Sequence, residues 1–142
     1  MVSEGLLRRL SRFRRALSRL HQLRDLSKEE LLSNEDKLDV LENNWRVAVE
    51  ALLDIGRYII SREGWEPPSS CRDVATILHR HSVISAEQRL LLQGLAGLRN
   101  VLIHLYSDVD YGRLIDFLGL LGEVEDLARA MLKYVEERGL DP

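Results

Sequence analysis

The chain has 142 residues, 45% apolar and 30% charged, with 9 Gly, 3 Pro and a single Cys. That length suffices for one domain burying about two-thirds of its unfolded surface, and the composition excludes disorder, an internal disulfide and any apolar run near the roughly 20 residues of a membrane span. The net charge of −3 conceals a polarity, because residues 1–24 hold Arg8, Arg9, Arg12, Arg14, Arg15, Arg19 and Arg24 against Glu4 alone. A cationic start beside an acidic body can attract phosphate, an acidic partner or an acidic patch on a second copy. The same arginines can equally be the solvated face of a helix. An Arg-rich, acid-poor start also has the composition of a mitochondrial transit peptide, but its apolar seam is needed by the fold read below. A reducing cytoplasm is the compartment that best suits one unpaired cysteine.

In chain order, Leu6, Leu10, Phe13, Leu17 and Leu20 recur at steps of four and three, the spacing of one helical face. Ser27 with Glu30 has capping-box spacing and predicts a short helical turn. Asn34 can cap a second long helix, lined by Leu41, Trp45, Ala48, Leu52, Ile55 and Ile59 and ending near Arg62, before Gly64 and Pro67-Pro68. Ser70 with Asp73 opens a short helix that carries Cys71 and reaches about Arg80. Ser85 with Gln88 opens the third long helix, lined by Leu91, Leu95, Leu98, Leu102 and Leu105. Asp108 or Asp110 can cap the last, which the pattern runs unbroken through Leu114, Phe117, Leu121, Val124, Ala128, Met131 and Val135. No period-two stretch is long enough for a strand. The expectation is an all-α protein: one domain over residues 1–142, an antiparallel up-and-down four-helix bundle with one or two short extra helices.

The stretch that carries chemistry runs from Gly94 to Tyr106, GLAGLRNVLIHLY. It places a fixed cation, an amide, a titratable imidazole and a phenol within eight residues of an otherwise apolar helix. Asn100 and His104 are four apart and share a face, whereas Arg99 and His104 are turned about 140° from each other. Gly94 and Gly97 leave a shallow spot for close packing, either within the chain or against a second copy. Arg99, Asn100, His104 and Tyr106 resemble the RNxxxHxY signature of the HEPN superfamily, specifically the HepT-like toxins paired with nucleotidyltransferase antitoxins. Asp110 follows where that family has an acidic residue before its last helix, and the resemblance extends over nearly the whole chain.

What the resemblance implies is a metal-independent RNA endonuclease toxin, needing no cofactor, with its site between the protomers of a homodimer. Catalytic roles fall on Arg99, Asn100 and His104, and Tyr106 becomes the residue that the antitoxin adenylates to silence the toxin. The chemistry is coherent with these residue types. RNA cleavage without a metal needs a base for the 2′-hydroxyl proton, an acid for the leaving oxygen and a cation for the phosphorane charge. Histidine titrates near neutrality, arginine holds phosphate bidentately and stays charged, and a two-fold axis would supply two copies of the set.

Blander readings stand beside each of these. His104 can be read as a core histidine, Tyr106 as a half-buried packing residue, and Arg99 as a salt-bridge partner for a carboxylate such as Glu50. Cys71, His79 and His81 fit no common zinc spacing, and Cys71 reads as inert. His21, among arginines, reads as a surface residue. There is no Walker loop, Rossmann fingerprint or H-E-x-x-H, and the first helix has few interleaved aromatics for stacking bases. The rival function is a non-catalytic HEPN domain that binds nucleotide or RNA as the partner of a nucleotidyltransferase.

Overall fold

The computed structural model describes residues 4–103 and 109–140, and at residues 100, 101 and 103 it describes the backbone alone. Among the described residues seven α-helices follow one another: α1 (Glu4–Arg24), α2 (Lys28–Leu32), α3 (Glu35–Glu63), α4 (Cys71–Arg80), α5 (Ala86–Ile103), α6 (Tyr111–Asp116) and α7 (Leu121–Arg138), with a 3-10 turn at Phe117–Leu120 joining the last two. Among the described residues there is no strand, and no helix is long and apolar enough to cross a membrane. The four long helices α1, α3, α5 and α7 form the bundle and the three short ones fill its connections.

The helix starts follow local hydrogen-bond chemistry. The first turn of a helix has orphan N–H groups, which a short polar side chain can satisfy. Ser27 accepts from Glu30 N at 3.1 Å, Asn34 from Lys37 N at 3.1 Å, Ser70 from Asp73 N at 3.1 Å and Asp110 from Arg113 N at 3.2 Å. At α5 the capping box is complete: Gln88 N donates to Ser85 Oγ at 3.1 Å and Ser85 N to Gln88 Oε1 at 2.9 Å. Gly64 ends α3 with φ +71°, a left-handed conformation that costs a side-chain-bearing residue about 1 kcal/mol.

α3 is the centre of the fold. Its predicted stripe of Leu41, Trp45, Ala48, Leu52, Ile55 and Ile59 is fully buried, and Leu38, Val49, Ala51, Leu53 and Ile60 are buried around it. A helix buried on so wide an arc must be covered from several sides, and α3 packs against α1, α4, α5, α6 and α7. The Trp45 indole donates to Leu114 O at 2.9 Å, tying α3 to α6 through the core. Gly56 lets α4 approach closely, since a Cβ there would stand 2.7 Å from Val74 Cγ1.

The last long segment departs from expectation. The continuous helix read from Leu114 to Val135 is broken at Phe117–Leu120, where the backbone tightens to a 3-10 turn around Gly119. Buried Leu114, Leu118 and Leu121 keep an apolar face through the turn, while Phe117 is swung sideways to meet Trp45 edge-on, ring centres 6.2 Å apart.

Candidate active site

α5 delivers the motif. Leu92, Leu95 and Leu98 are fully buried and fix the rotation of the helix, with Leu91 and Leu102 packed at the edge of the core. Its two glycines admit neighbours from the same chain. A Cβ at Gly94 would lie 3.3 Å from Phe117 Cζ, and one at Gly97 would lie 3.2 Å from Arg113 Nη2. The shallow spot is therefore filled from α6 and the turn after it, and the Arg113 guanidinium arrives within one helical turn of Arg99.

With that rotation set, Arg99 emerges toward α3 and its Nε donates to Glu50 Oε1. The hydrogen bond to Glu50, reinforced by its charge, holds the guanidinium proton even more firmly than usual, so Arg99 is a permanent cation. The side chains of Arg99 and Glu50 are 35% and 36% exposed, so the pair is reachable from solvent rather than sealed in the core. A second arginine stands close by. Arg57 Nη1 is 3.2 Å from Asp54 Oδ1, and its Nη2 is 3.4 Å from Cys71 Sγ at the start of α4. Chemically, the arrangement is a charged donor fork fixed in direction by one carboxylate, suited to holding a phosphate.

Of the residues expected to form the site, the structure describes Arg99 fully and Asn100 as backbone on α5. His104 and Tyr106 lie outside the described residues, as do Leu105 and Asp108. The carboxylate offered as a partner for Arg99 is indeed Glu50, 49 residues away on α3. Arg57 and Arg113 do not stand out in the sequence, because only the packing of α3 and α6 brings them near α5.

The histidines outside the motif have separate surroundings. His79 Nδ1 is 3.2 Å from Ile84 O, while His81 stacks on Trp65 with ring centres 3.8 Å apart. His21 is not simply a surface residue: its Nε2 lies 2.9 Å from Glu125 Oε1 on α7 and its side chain is partly buried. Tyr111 donates its hydroxyl to Glu42 Oε2 at 3.2 Å, fixing the first residue of α6 against α3.

The family profile described as "Ribonuclease HepT-like" matches residues 13–131. No curated protein matches the chain. Among solved structures, a chain from the complex of the tri-AMPylated Shewanella oneidensis HEPN toxin with its MNT antitoxin superposes with a TM-score of 0.82 at 20% identity, covering 93% of this chain and 99% of that one. A toxin–antitoxin structure with AMP-PNP gives 0.78 at 19% identity, covering 92% and 99%. A tyrosine-to-alanine mutant of the MntA–HpeT toxin–antitoxin gives 0.80 at 18% identity, again covering 92% and 99%.

Proposed function

The chain belongs to the HepT-like ribonuclease family, and from that premise we propose that it is a metal-independent endoribonuclease toxin, held in check by a nucleotidyltransferase antitoxin. The observation that carries this reading is Arg99, a solvent-reachable guanidinium on α5 held in a fixed direction by Glu50. One residue beyond it in the sequence stands Asn100, and five beyond it His104.

The reaction is transesterification. The ribose 2′-oxygen attacks phosphorus, its proton passes to one imidazole, and the P–O5′ bond breaks as a second imidazole protonates the leaving oxygen. The products are a 2′,3′-cyclic phosphate and a 5′-hydroxyl. Arg99 neutralises the charge that grows on the phosphorane, where a fixed cation acts more strongly than on the ground state. His104 from each protomer of a homodimer would supply base and acid, and Asn100 would orient the imidazole or bond the phosphate. Tyr106, two residues beyond His104, is the proposed adenylate acceptor. A solved neighbour of the same fold is AMPylated in complex with its antitoxin, and bulky phosphates beside Arg99 would repel RNA and occupy the same cation.

One observation favours the rival, a non-catalytic partner of a nucleotidyltransferase: Arg99 already has a carboxylate partner. The exposure of the pair weighs against a purely structural bridge. Incubation of the purified, unmodified protein with RNA in EDTA, beside His104→Ala, separates the two readings. The nuclease reading expects fragments ending in 2′,3′-cyclic phosphate that persist in the chelator and disappear in the variant. An inert wild-type protein would leave the binding-partner reading.

A further inference from the structure

Arg9, Arg12, Arg15 and Arg19 follow one another on α1 at steps of three, three and four. They therefore form a single exposed stripe about 15 Å long. Among the described residues, the α1 arginine with a carboxylate partner is Arg8, bound to Glu4 at 3.0 Å one turn before Arg12 and not part of the furrow's lining. The stripe borders a furrow between α1 and α3. One stretch of it, about 320 Å³, is walled by Arg9, Arg12, Arg46, Glu50 and Asp54. The next, about 140 Å³, shares Arg12, Asn43 and Val47 with the first and continues past Arg15 to Arg19. Five arginines thus flank one continuous channel, and Arg46 is steadied by donating to Asn43 Oδ1.

The furrow has a direction. At one end stand Arg19 and Asn44; at the other stand Arg9 and Glu50, the carboxylate that holds Arg99. Both acids at that end are already engaged, Glu50 with Arg99 and Asp54 with Arg57, so they do not confront an incoming anion unpaired. Among the described residues no aromatic ring lines either stretch, and the apolar lining is limited to small side chains, Ala16, Val47 and Ala51. Protein interfaces centre on apolar and aromatic anchors, which this lining lacks. A row of arginines over a narrow, ring-free floor suits the sugar–phosphate backbone of a single strand, read for charge rather than for base identity.

We propose that the α1–α3 furrow is the track along which the phosphates of a single-stranded RNA lie, leading the strand to Arg99. What the strand meets at that end rests on the ribonuclease reading; the track itself does not. Anisotropy of a fluorescein-labelled 2′-O-methyl oligouridine 12-mer, which lacks the attacking hydroxyl, measures binding to the wild-type protein without turnover. The triple variant R12Q/R15Q/R46Q is compared with R14Q/R24Q/R129Q, which removes as many charges from residues that do not line the furrow. The furrow variant should bind at least about tenfold more weakly at 0.1 M salt. Its log–log salt slope should flatten by about 2, near 0.7 for each single-strand phosphate that is no longer neutralised. The control should change less than about threefold. Equal weakening in both variants, or undiminished binding by the furrow variant, would overturn the track; the second outcome with loss of the antitoxin complex would make the stripe a protein interface. Cleavage of unmodified RNA is followed in parallel. A wild-type protein that binds through the furrow and never cuts removes the nuclease reading and leaves the track.

Discussion

Arg99 Nε on α5 donates to Glu50 Oε1 on α3, and this one bond joins the helix that carries the motif to the helix that centres the fold. The bond fixes which edge of the guanidinium is engaged and therefore how the fork is turned. In the proposed reaction Glu50 acts through Arg99, as a positioning residue. Glu50→Gln should lower kcat on RNA about ten- to a hundredfold, since misplacement of a catalytic group by about 1 Å is worth that much, with KM changing less than about threefold. Because the pair is about one-third exposed, its contribution to stability should stay below about 1 kcal/mol. Steady-state kinetics and urea unfolding of the same preparation check both. A stability loss above about 2 kcal/mol with unchanged turnover would make the bridge structural, as would loss of folding in Arg99→Ala.

Tyr106→Phe tests the silencing step. It should leave intrinsic RNA cleavage near the wild-type rate while abolishing incorporation of adenylate by the partner nucleotidyltransferase with ATP. Intact-protein mass spectrometry reads the modification directly, and continued labelling of the variant would show that another residue is the acceptor.

Gly56→Ala should destabilise, although alanine favours a helix by up to about 1 kcal/mol over glycine. The new Cβ would meet Val74 Cγ1 at 2.7 Å and Leu78 Cδ1 at 3.2 Å, and both side chains are fully buried with nowhere to retreat. Overpacking of this kind costs about 1–3 kcal/mol, so a net loss of about 1–2 kcal/mol is expected. Gly122→Ala is the contrast: its Cβ would find nothing within 4 Å at the start of α7, and a gain of about 0.5–1 kcal/mol should follow. Urea midpoints of the two variants should move in opposite directions.

Two tyrosines set an alkaline limit. Burial raises the Tyr111 hydroxyl above its usual range, helped by Glu42, and burial does the same for Tyr134, which donates to Glu63 Oε2 at 2.6 Å. Each phenol binds its proton more tightly folded than unfolded, so the stability it contributes is complete below about pH 10, the ordinary tyrosine value. It is lost as pH rises through the raised folded values. Stability measured from pH 8 to 11 should therefore fall beyond pH 10, and Tyr111→Phe with Tyr134→Phe should shallow that decline. An unchanged slope would assign the alkaline loss to other groups.

The parts of this fold that were legible in the sequence are those governed by short range. Ser27, Asn34, Ser70 and Ser85 bond the backbone three residues on, so each start is written within four letters. The buried stripes of α1 and α3 likewise follow from helical period alone. The break at Phe117–Leu120 was not legible, because Leu114, Leu118 and Leu121 face the core through a 3-10 turn about as well as through an α-helix. For the site, residue types were readable and partners only partly so. Glu50 could be suggested as a carboxylate for Arg99, but the pairing depends on how α3 and α5 are rotated against each other. The approach of Arg113 to Gly97 depends likewise on how α6 meets α5, and that of Arg57 to Cys71 on how α3 meets α4.

α3 carries, on successive turns of its solvent side, Asn43 and Arg46 in the furrow, then Glu50 under Arg99, then Asp54 beside Arg57. A straight helix is a screw, and its thread fixes the angle between those stations. One residue inserted between Arg46 and Glu50 would turn everything beyond it by about 100° and advance it by about 1.5 Å. Arg46 would stay with the arginines of α1 while Glu50 rotated away from the guanidinium. The alignment of the channel with the motif is thus a matter of counting: four residues, a little more than one turn of one helix, hold the two in phase.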